Sequence, residues 1–362
     1  MFQIYDIIIV IYSIMKEGII VSNSICLVKG INLGGWLSQC EYTNEHYDTF
    51  IKEEDIKTVS QLGVDHIRVP FDYELLETES GEPIPGNYRY LDNCIEWARK
   101  YGLNVILDMH KTAGYSFNDA YKESNNLFNF EPLQSRYINL WTEVAKRYGK
   151  HSDMVVFELL NEIVEEVFAE PWNKLSYRTI TEIRKHAPDT KIIIGGINWN
   201  SLNGLVLLDK PYDSNIIYTF HCYEPLVFTH QKAYWVPQIA DVDYIQYPLS
   251  KEELSKQSTR LIEAQRKTLD ALYFNNDNDS LFDTLFADAV QFAKDRNVPL
   301  YCGEYGVIDM APTDSTLNWF KEINKAFKKF GIGRSVWSYK KMDFGLIDEH
   351  YAPIKDELIK LL

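Results

Sequence analysis

Short apolar runs alternate with longer amphipathic ones along most of the chain. Val- and Ile-rich runs such as "DHIRVP", "NVILDMH" and "VVFELLN" have the length and β-branched content of buried strands. Strands are predicted over 26–32, 65–70, 104–110, 155–161, 191–195, 216–223, 299–304 and 333–337. Between them, apolar residues recur every three or four positions. That period predicts helices over 51–62, 91–101, 132–148, 174–186, 282–296 and 316–330, and a last one from near Pro353 to Leu361. The fifth crossover, near 202–208, is short. Gly, Asn or Pro ends several helices just before the next strand, as in "YGLN", "RNVP" and "FGIG".

Eight strands alternating with helices imply a parallel sheet closed into an α/β (β/α)8 TIM barrel. An open doubly wound sheet is the competing reading. It would place a Gly-rich phosphate turn after its first strand, and "GINLGG" has neither the GxGxxG spacing nor a long helix directly behind it. The barrel is expected to occupy 26–362 as one catalytic domain. Residues 1–25 read as an N-terminal extension, dispensable to about residue 14 because Met15 opens a plausible start. The stretch between strands six and seven is oversized. An insertion is placed at about 237–280, with a helical run "SKEELSKQSTRLIEAQRKTLDALYF" and a polar "NNDNDS". It would emerge on the C-terminal face of the barrel, either as a solvated decoration or as a wall or lid over the cleft.

Polar and aromatic residues stand at the ends of most predicted strands. Asn32 ends the first, with Trp36 close behind. Arg68 lies in the second, His110 ends the third, and Asn161 and Glu162 follow the fourth. His221 and Tyr223 end the sixth, Glu304 the seventh and Trp337 the eighth. A barrel gathers such residues at one mouth, where active sites are built. Glu162 and Glu304 fall on opposite sides of the ring. Two carboxyls facing across a cleft can break a glycosidic bond, one protonated and donating, the other ionised and either attacking or activating water. Arg68 and Tyr223 are placed to hold Glu304 ionised, and apolar neighbours and His221 suit Glu162 as the proton donor. Glu158 shares the parity of Glu162 and is expected deeper in the barrel, as a structural acid paired to an arginine or a hydroxyl. His221 and Tyr223 should face inward, leaving Cys222 toward the helices.

Composition narrows the partner. A formal net charge of −15 disfavours a nucleic-acid backbone. The apolar run near the N-terminus is too short to span a bilayer, so no membrane role is expected. Five cysteines without CxxC spacing suggest neither a disulfide framework nor zinc, and no HxH follows the first strand, so no metal or other cofactor is expected. Aromatics make up 14% of the chain, enough to line a surface that stacks flat polar ligands. Cleft candidates are Trp36, Tyr115, Phe117, Trp199, Phe228, Trp235 and Phe344. Trp199 and Trp235 are preferred because polar loop residues surround them. A cytoplasmic monomer is the expectation, with secretion as the alternative.

The motifs "GINLGGWL", "HIRVPFDYELLE", "LNVILDMHKTAGYSF", "FELLNE", "FHCYEPLVFTHQKAYW", "YCGEYGVI" and "WSYKKMDFGLID" resemble glycoside hydrolase family 5, the retaining clan A cellulases, and within it the clostridial cellulase C type endoglucanases. The resemblance runs from about Gly30 to the C-terminus. It implies Glu162 as acid/base, Glu304 as nucleophile, and Asn161 as the residue bonding the sugar 2-hydroxyl. It also implies Arg68 and Tyr223 as partners of the nucleophile, His110 and His221 as polar lining, and Trp337 as a stacking floor. Lys111 departs from the pattern, which often has a second His there. The implied activity is endo-β-1,4-glucan hydrolysis of cellulose or mixed-linkage β-glucan, without metal. A β-mannanase, an exo-β-1,3-glucanase and a catalytically inactive carbohydrate-binding barrel remain the alternatives.

Overall fold

The protein is described here by a computed structural model covering residues 25–270 and 280–362. The predicted extension up to residue 24, and the 271–279 part of the predicted insertion, lie outside the described residues. Eight parallel strands close into a barrel in chain order: β1 (Lys29–Asn32), β2 (His66–Asp72), β3 (Asn104–Lys111), β4 (Val155–Glu158), β5 (Ile192–Gly195), β6 (Ile216–Cys222), β7 (Leu300–Tyr305) and β8 (Gly333–Val336). Pairing of Lys29 with Arg334 and of Ile31 with Val336 closes the ring. The open doubly wound sheet is thereby excluded.

The crossover helices form because each sets one apolar face on this ring. Helix Tyr88–Tyr101 buries Tyr90, Leu91, Cys94, Ile95 and Ala98, spaced at helical period, and stops at Gly102 with φ 73°. Helix Thr313–Phe330 ends the same way at Gly331. Each fully buried Leu or Ile in such a face is worth about 1.5–3 kcal/mol. Inside the barrel a second apolar layer of Ile106, Val156, Ile193, Ile217 and Tyr301 fills the lower half. Above it the lining turns polar and charged.

Two departures from the expected elements matter, and the fifth crossover is short near 202–208, as expected. The chain folds a short helix at Asn44–Phe50, started by the Thr43 hydroxyl accepting from His46 N. The fifth crossover is a tight turn, Ile197–Asn200, followed by a 3-10 segment, Leu202–Leu207. The single helix expected in the insertion is broken into Lys251–Ser258 and Glu263–Asp270; the first is opened by a capping box between Ser250 and Glu253. Among the described residues no helix is long and apolar enough to cross a membrane.

Candidate active site

β4 ends earlier than its apolar run suggests. The carbonyl of Leu159 accepts from Tyr137 Oη (2.7 Å) and Trp141 Nε1 (3.0 Å), both from helix Glu131–Tyr148. Side chains of the outer layer thus take the place of a strand partner. The chain then turns so that Asn161 N reaches Met109 O on β3 (3.0 Å), and Glu162 adopts φ 36°. Glu158 and Glu162 both face the barrel interior, but the turn rather than continuous alternation aims Glu162.

Glu304 is aimed by an irregularity too. Tyr301 faces the barrel interior, while Cys302 and Tyr305 both pack with the outer core. Two outward residues three apart cannot lie on a regular strand. Pairing between β6 and β7 jumps from Phe220–Cys302 to His221–Glu304, so Gly303 is the extra residue. The bulge turns Glu304 into the barrel beside His221. A Cβ on Gly303 would sit 3.0 Å from His221 Nε2, which is why a glycine occupies it.

Both carboxyls are almost fully buried at the floor of a cleft of about 640 Å³. Arg68 Nη1 donates to Glu304 Oε1 (2.8 Å) and Tyr223 Oη donates to Glu304 Oε2 (2.9 Å). Glu162 Oε1 meets His221 Nδ1 at 2.7 Å. One oxygen of Glu162, one of Glu304 and a nitrogen of His221 lie within 4.8 Å of one another. A cation offered these donors would meet the Arg68 guanidinium on the same carboxylate, so the trio is poorly suited to a metal. Carboxyls this close match the roughly 5–5.5 Å spacing of a retaining pair and not the roughly 6.5–9.5 Å of an inverting one.

Electrostatics separates the two acids. Burial, and then the neighbouring Glu304, push Glu162 well above the usual carboxylate range. Burial raises Glu304 as well, but Arg68, His110 and the Tyr223 hydroxyl oppose it. Burial, and then the charges of Arg68 and His110, hold the His221 imidazole well below its usual value, so it stays neutral. Arg68 is wholly buried and also bonds Glu158 (2.8 and 3.0 Å), Asp108 (3.0 Å), Asn32 Oδ1 (2.9 Å) and Asn161 Oδ1 (3.0 Å). Glu158 is thus the buried acid paired to an arginine.

The cleft lining includes Glu162, Glu304, His110, Trp199, His221, Tyr223, Trp235 and Trp337. His110 stacks on Trp337 with ring centroids 5.7 Å apart and planes 8° apart. Phe117 and Phe344 line the cleft, and Trp235 is 41% exposed at its rim. Other candidates stand back from it. Trp36 is a core residue, 1% exposed, whose indole donates to Tyr47 O (2.9 Å); this corrects its expected place among the substrate contacts. Residues 33–38 after β1 are all buried, with Leu37 bridged to Phe71, and the ring is buried with them. Tyr115 and Phe228 are core as well. Asn32 and Arg68 lie beneath the cleft floor, and Asn32 binds Gly303 O (2.9 Å) besides Arg68, so both act through Glu304. Asn161 is buried beside them, and its Nδ2 has no hydrogen-bond partner among the described residues.

Sequence reasoning passed over Asp108, Gln39 and the insertion residues Ala264 and Gln265, the last three of which line the cleft. Asp108 sits two residues before His110 on one strand, so alternation carried the signal. It fixes the His110 ring through Nδ1 (2.7 Å), while Gln39 Nε2 lies 3.0 Å from His110 Nε2. A smaller cavity of about 250 Å³ continues the cleft past Gln39 and His110 to Tyr42, Asp72 and Lys111. Lys111 there pairs with Glu74 and lies 5.0 Å from the Tyr42 ring centroid.

A family model described as cellulase, glycosyl hydrolase family 5, matches residues 28–343. Cellodextrinase A of Ruminococcus flavefaciens is 41% identical over 87% of this chain and 86% of its own length. Endoglucanase C of Acetivibrio thermocellus is 38% identical over 92% of this chain and 97% of its own. Among solved structures, the endoglucanase Cel5A of Thermotoga maritima superposes with a TM-score of 0.71 at 25% identity, covering 93% of this chain and 97% of that one. With the closed barrel and the family match over most of its length, the chain belongs to glycoside hydrolase family 5.

Proposed function

We propose that the protein is a retaining, endo-acting β-1,4-glucanase in which Glu304 is the nucleophile and Glu162 the acid/base. The observation that carries this is the pair itself. Two buried carboxyls lie within 4.8 Å at a cleft floor, one held by a guanidinium and a phenol, the other by a neutral imidazole. In the first step a Glu304 oxygen bonds the anomeric carbon while the bond to the leaving oxygen breaks and that oxygen takes the Glu162 proton. In the second, Glu162 takes a proton from water, the water oxygen bonds the anomeric carbon, and the Glu304 ester breaks. Asn161 Nδ2, without a hydrogen-bond partner among the described residues, is available to a sugar 2-hydroxyl. Trp337, Trp199 and Trp235 offer ring faces along the cleft, and Ala264 and Gln265 make the insertion part of its wall.

The glucan reading rests on the named activities of the endoglucanase and cellodextrinase relatives. Release of reducing ends from barley β-glucan, carboxymethyl cellulose and mannan by wild type, Glu162→Gln and Glu304→Gln tests it. Mixed oligosaccharides from the glucans are expected, falling about 10³-fold or more in Glu304→Gln and about 10²–10⁴-fold in Glu162→Gln. Activity confined to mannan would overturn the substrate and keep the mechanism. Full activity in Glu304→Gln would overturn the nucleophile.

A further inference from the structure

The turn after β5 is built under strain. Asn198, Trp199 and Asn200 all lie in the left-handed region, at φ 56°, 56° and 52°, which non-glycine residues seldom adopt in succession. Glycines make the packing possible. A Cβ on Gly204 would fall 2.0 Å from Ile197 O, and a Cβ on Gly195 would fall 2.3 Å from Asn200 Oδ1. The turn exposes part of Trp199 to the cleft and pushes the Asn200 side chain, 0% exposed, against the back of His221. There Asn200 Nδ2 lies 3.4 Å from His221 Nε2, while Asn200 Oδ1 has no hydrogen-bond partner among the described residues. On its other side His221 meets Glu162 at 2.7 Å.

This arrangement links an amide to the acid/base through one neutral ring. With Nδ2 toward the ring, Asn200 donates to Nε2, the ring proton sits on Nδ1, and Nδ1–H donates to an ionised Glu162. Glu162 reaches that ionised form each time its proton passes to the leaving oxygen. Resting on the acid/base role of Glu162, we propose that Asn200 is a positioning residue that keeps the His221 proton on Nδ1 and so supports the ionised form of Glu162. Among the described residues, charged or titratable groups around Glu162 include Glu304 on β7, Arg68 on β2, Asp108 and His110 on β3, Tyr115 in the loop after β3, whose hydroxyl donates to Glu162 O (3.1 Å), and Tyr223 just beyond β6.

The test compares wild type, Asn200→Leu and Asn200→Asp on barley β-glucan and on 2,4-dinitrophenyl β-cellobioside, whose leaving group needs no proton. Asn200→Leu should lose about tenfold in kcat/KM on the glucan, the worth of one ordinary hydrogen bond. Its alkaline limb should move to higher pH, because the ionised form of Glu162 has lost support. Its kcat/KM on the aryl glycoside should stay within about twofold. Asn200→Asp, isosteric and acceptor-only, should instead slow hydrolysis of the glycosyl-enzyme and give a burst of dinitrophenol. Thermal unfolding of each variant reports folding, and Asn200→Asp keeps the test open if Leu does not pack against Gly195. The proposal is overturned if folded variants keep the wild-type pH profile and leaving-group dependence. It is also overturned if Thr219→Val moves the alkaline limb and Asn200→Leu does not, since Thr219 Oγ1, without a partner among the described residues, lies like His221 Nε2 beside Gly303. Wild type inactive on both substrates would refute the glycosidase reading itself.

Discussion

Arg68 is the residue on which the most site geometry depends. Its guanidinium faces Asp108, Glu158 and Glu304 at 2.8–3.0 Å with no exposure to solvent. Burial alone would lower its pKa, yet the three carboxylates more than offset this and hold it charged. Removing one partner from such a cluster leaves buried charge uncompensated, which costs about 3–5 kcal/mol. Arg68→Leu is therefore expected to lose stability on that scale in urea unfolding at pH 7; an unchanged midpoint would contradict the cluster. The sequence made Arg68 legible as a partner of Glu304 because it is an arginine in a buried strand. The same reasoning misjudged Trp36, since a tryptophan near a strand end has two places to go and only tertiary packing chooses. Lys111 tests a second residue-scale idea. It lines the smaller cavity and not the main one, so Lys111→Ala should raise KM for long glucan oligosaccharides several-fold and leave kcat on short ones unchanged. An effect on kcat for short substrates would place it at the chemistry instead.

At the scale of elements, the strands were legible because their apolar runs are bounded by turn residues, and the crossover helices because their apolar faces repeat. What alternation could not supply is where a strand breaks its own rule. β4 stops at Glu158 because Tyr137 and Trp141, 22 and 18 residues upstream, take the Leu159 carbonyl. β7 bulges at Gly303, and only that extra residue brings Glu304 inward. Neither feature has a local sequence period. The bulge gives a sharp prediction. Gly303→Ala sets a methyl 3.0 Å from both His221 Nε2 and Thr219 Oγ1, closer than most real contacts. The ring must give way, so the Glu162–His221 bond is disturbed before the barrel is. Activity on β-glucan should fall about tenfold or more while the unfolding free energy from urea titration drops by only about 1–3 kcal/mol. Equal activity to wild type would mean the bulge does not aim the site.

Over the whole molecule, a chain of net charge −15 places four of its acids around one arginine and keeps three histidines neutral beside them. The net charge was legible in the composition; which groups are withdrawn from water was not, because burial is a property of the closed barrel. These groups make stability depend on pH in opposing directions. Burial pushes Asp108 up to about 7, so its neutral form stabilises the fold at low pH and that contribution is lost as pH rises through about 7. Burial pushes His110 down to about 4 and His230 down to about 3. Their contribution is present above the unfolded value of about 6.5 and is lost as pH falls toward those folded values. His230 separates the two effects. It packs against the rings of Tyr223, Trp235 and Phe344, with Thr229 Oγ1 near its Nδ1, and forms no ion pair among the described residues. Between pH 7 and pH 5 the unfolded chain gains a proton at this position that the fold refuses, a difference of about 2 kcal/mol. His230→Phe should therefore weaken the acid-side loss by about that amount, measured as the change in unfolding free energy between pH 7 and pH 5 for variant and wild type. Identical slopes would show that the ring takes up its proton inside the folded cleft, and that the aromatic wall there admits water.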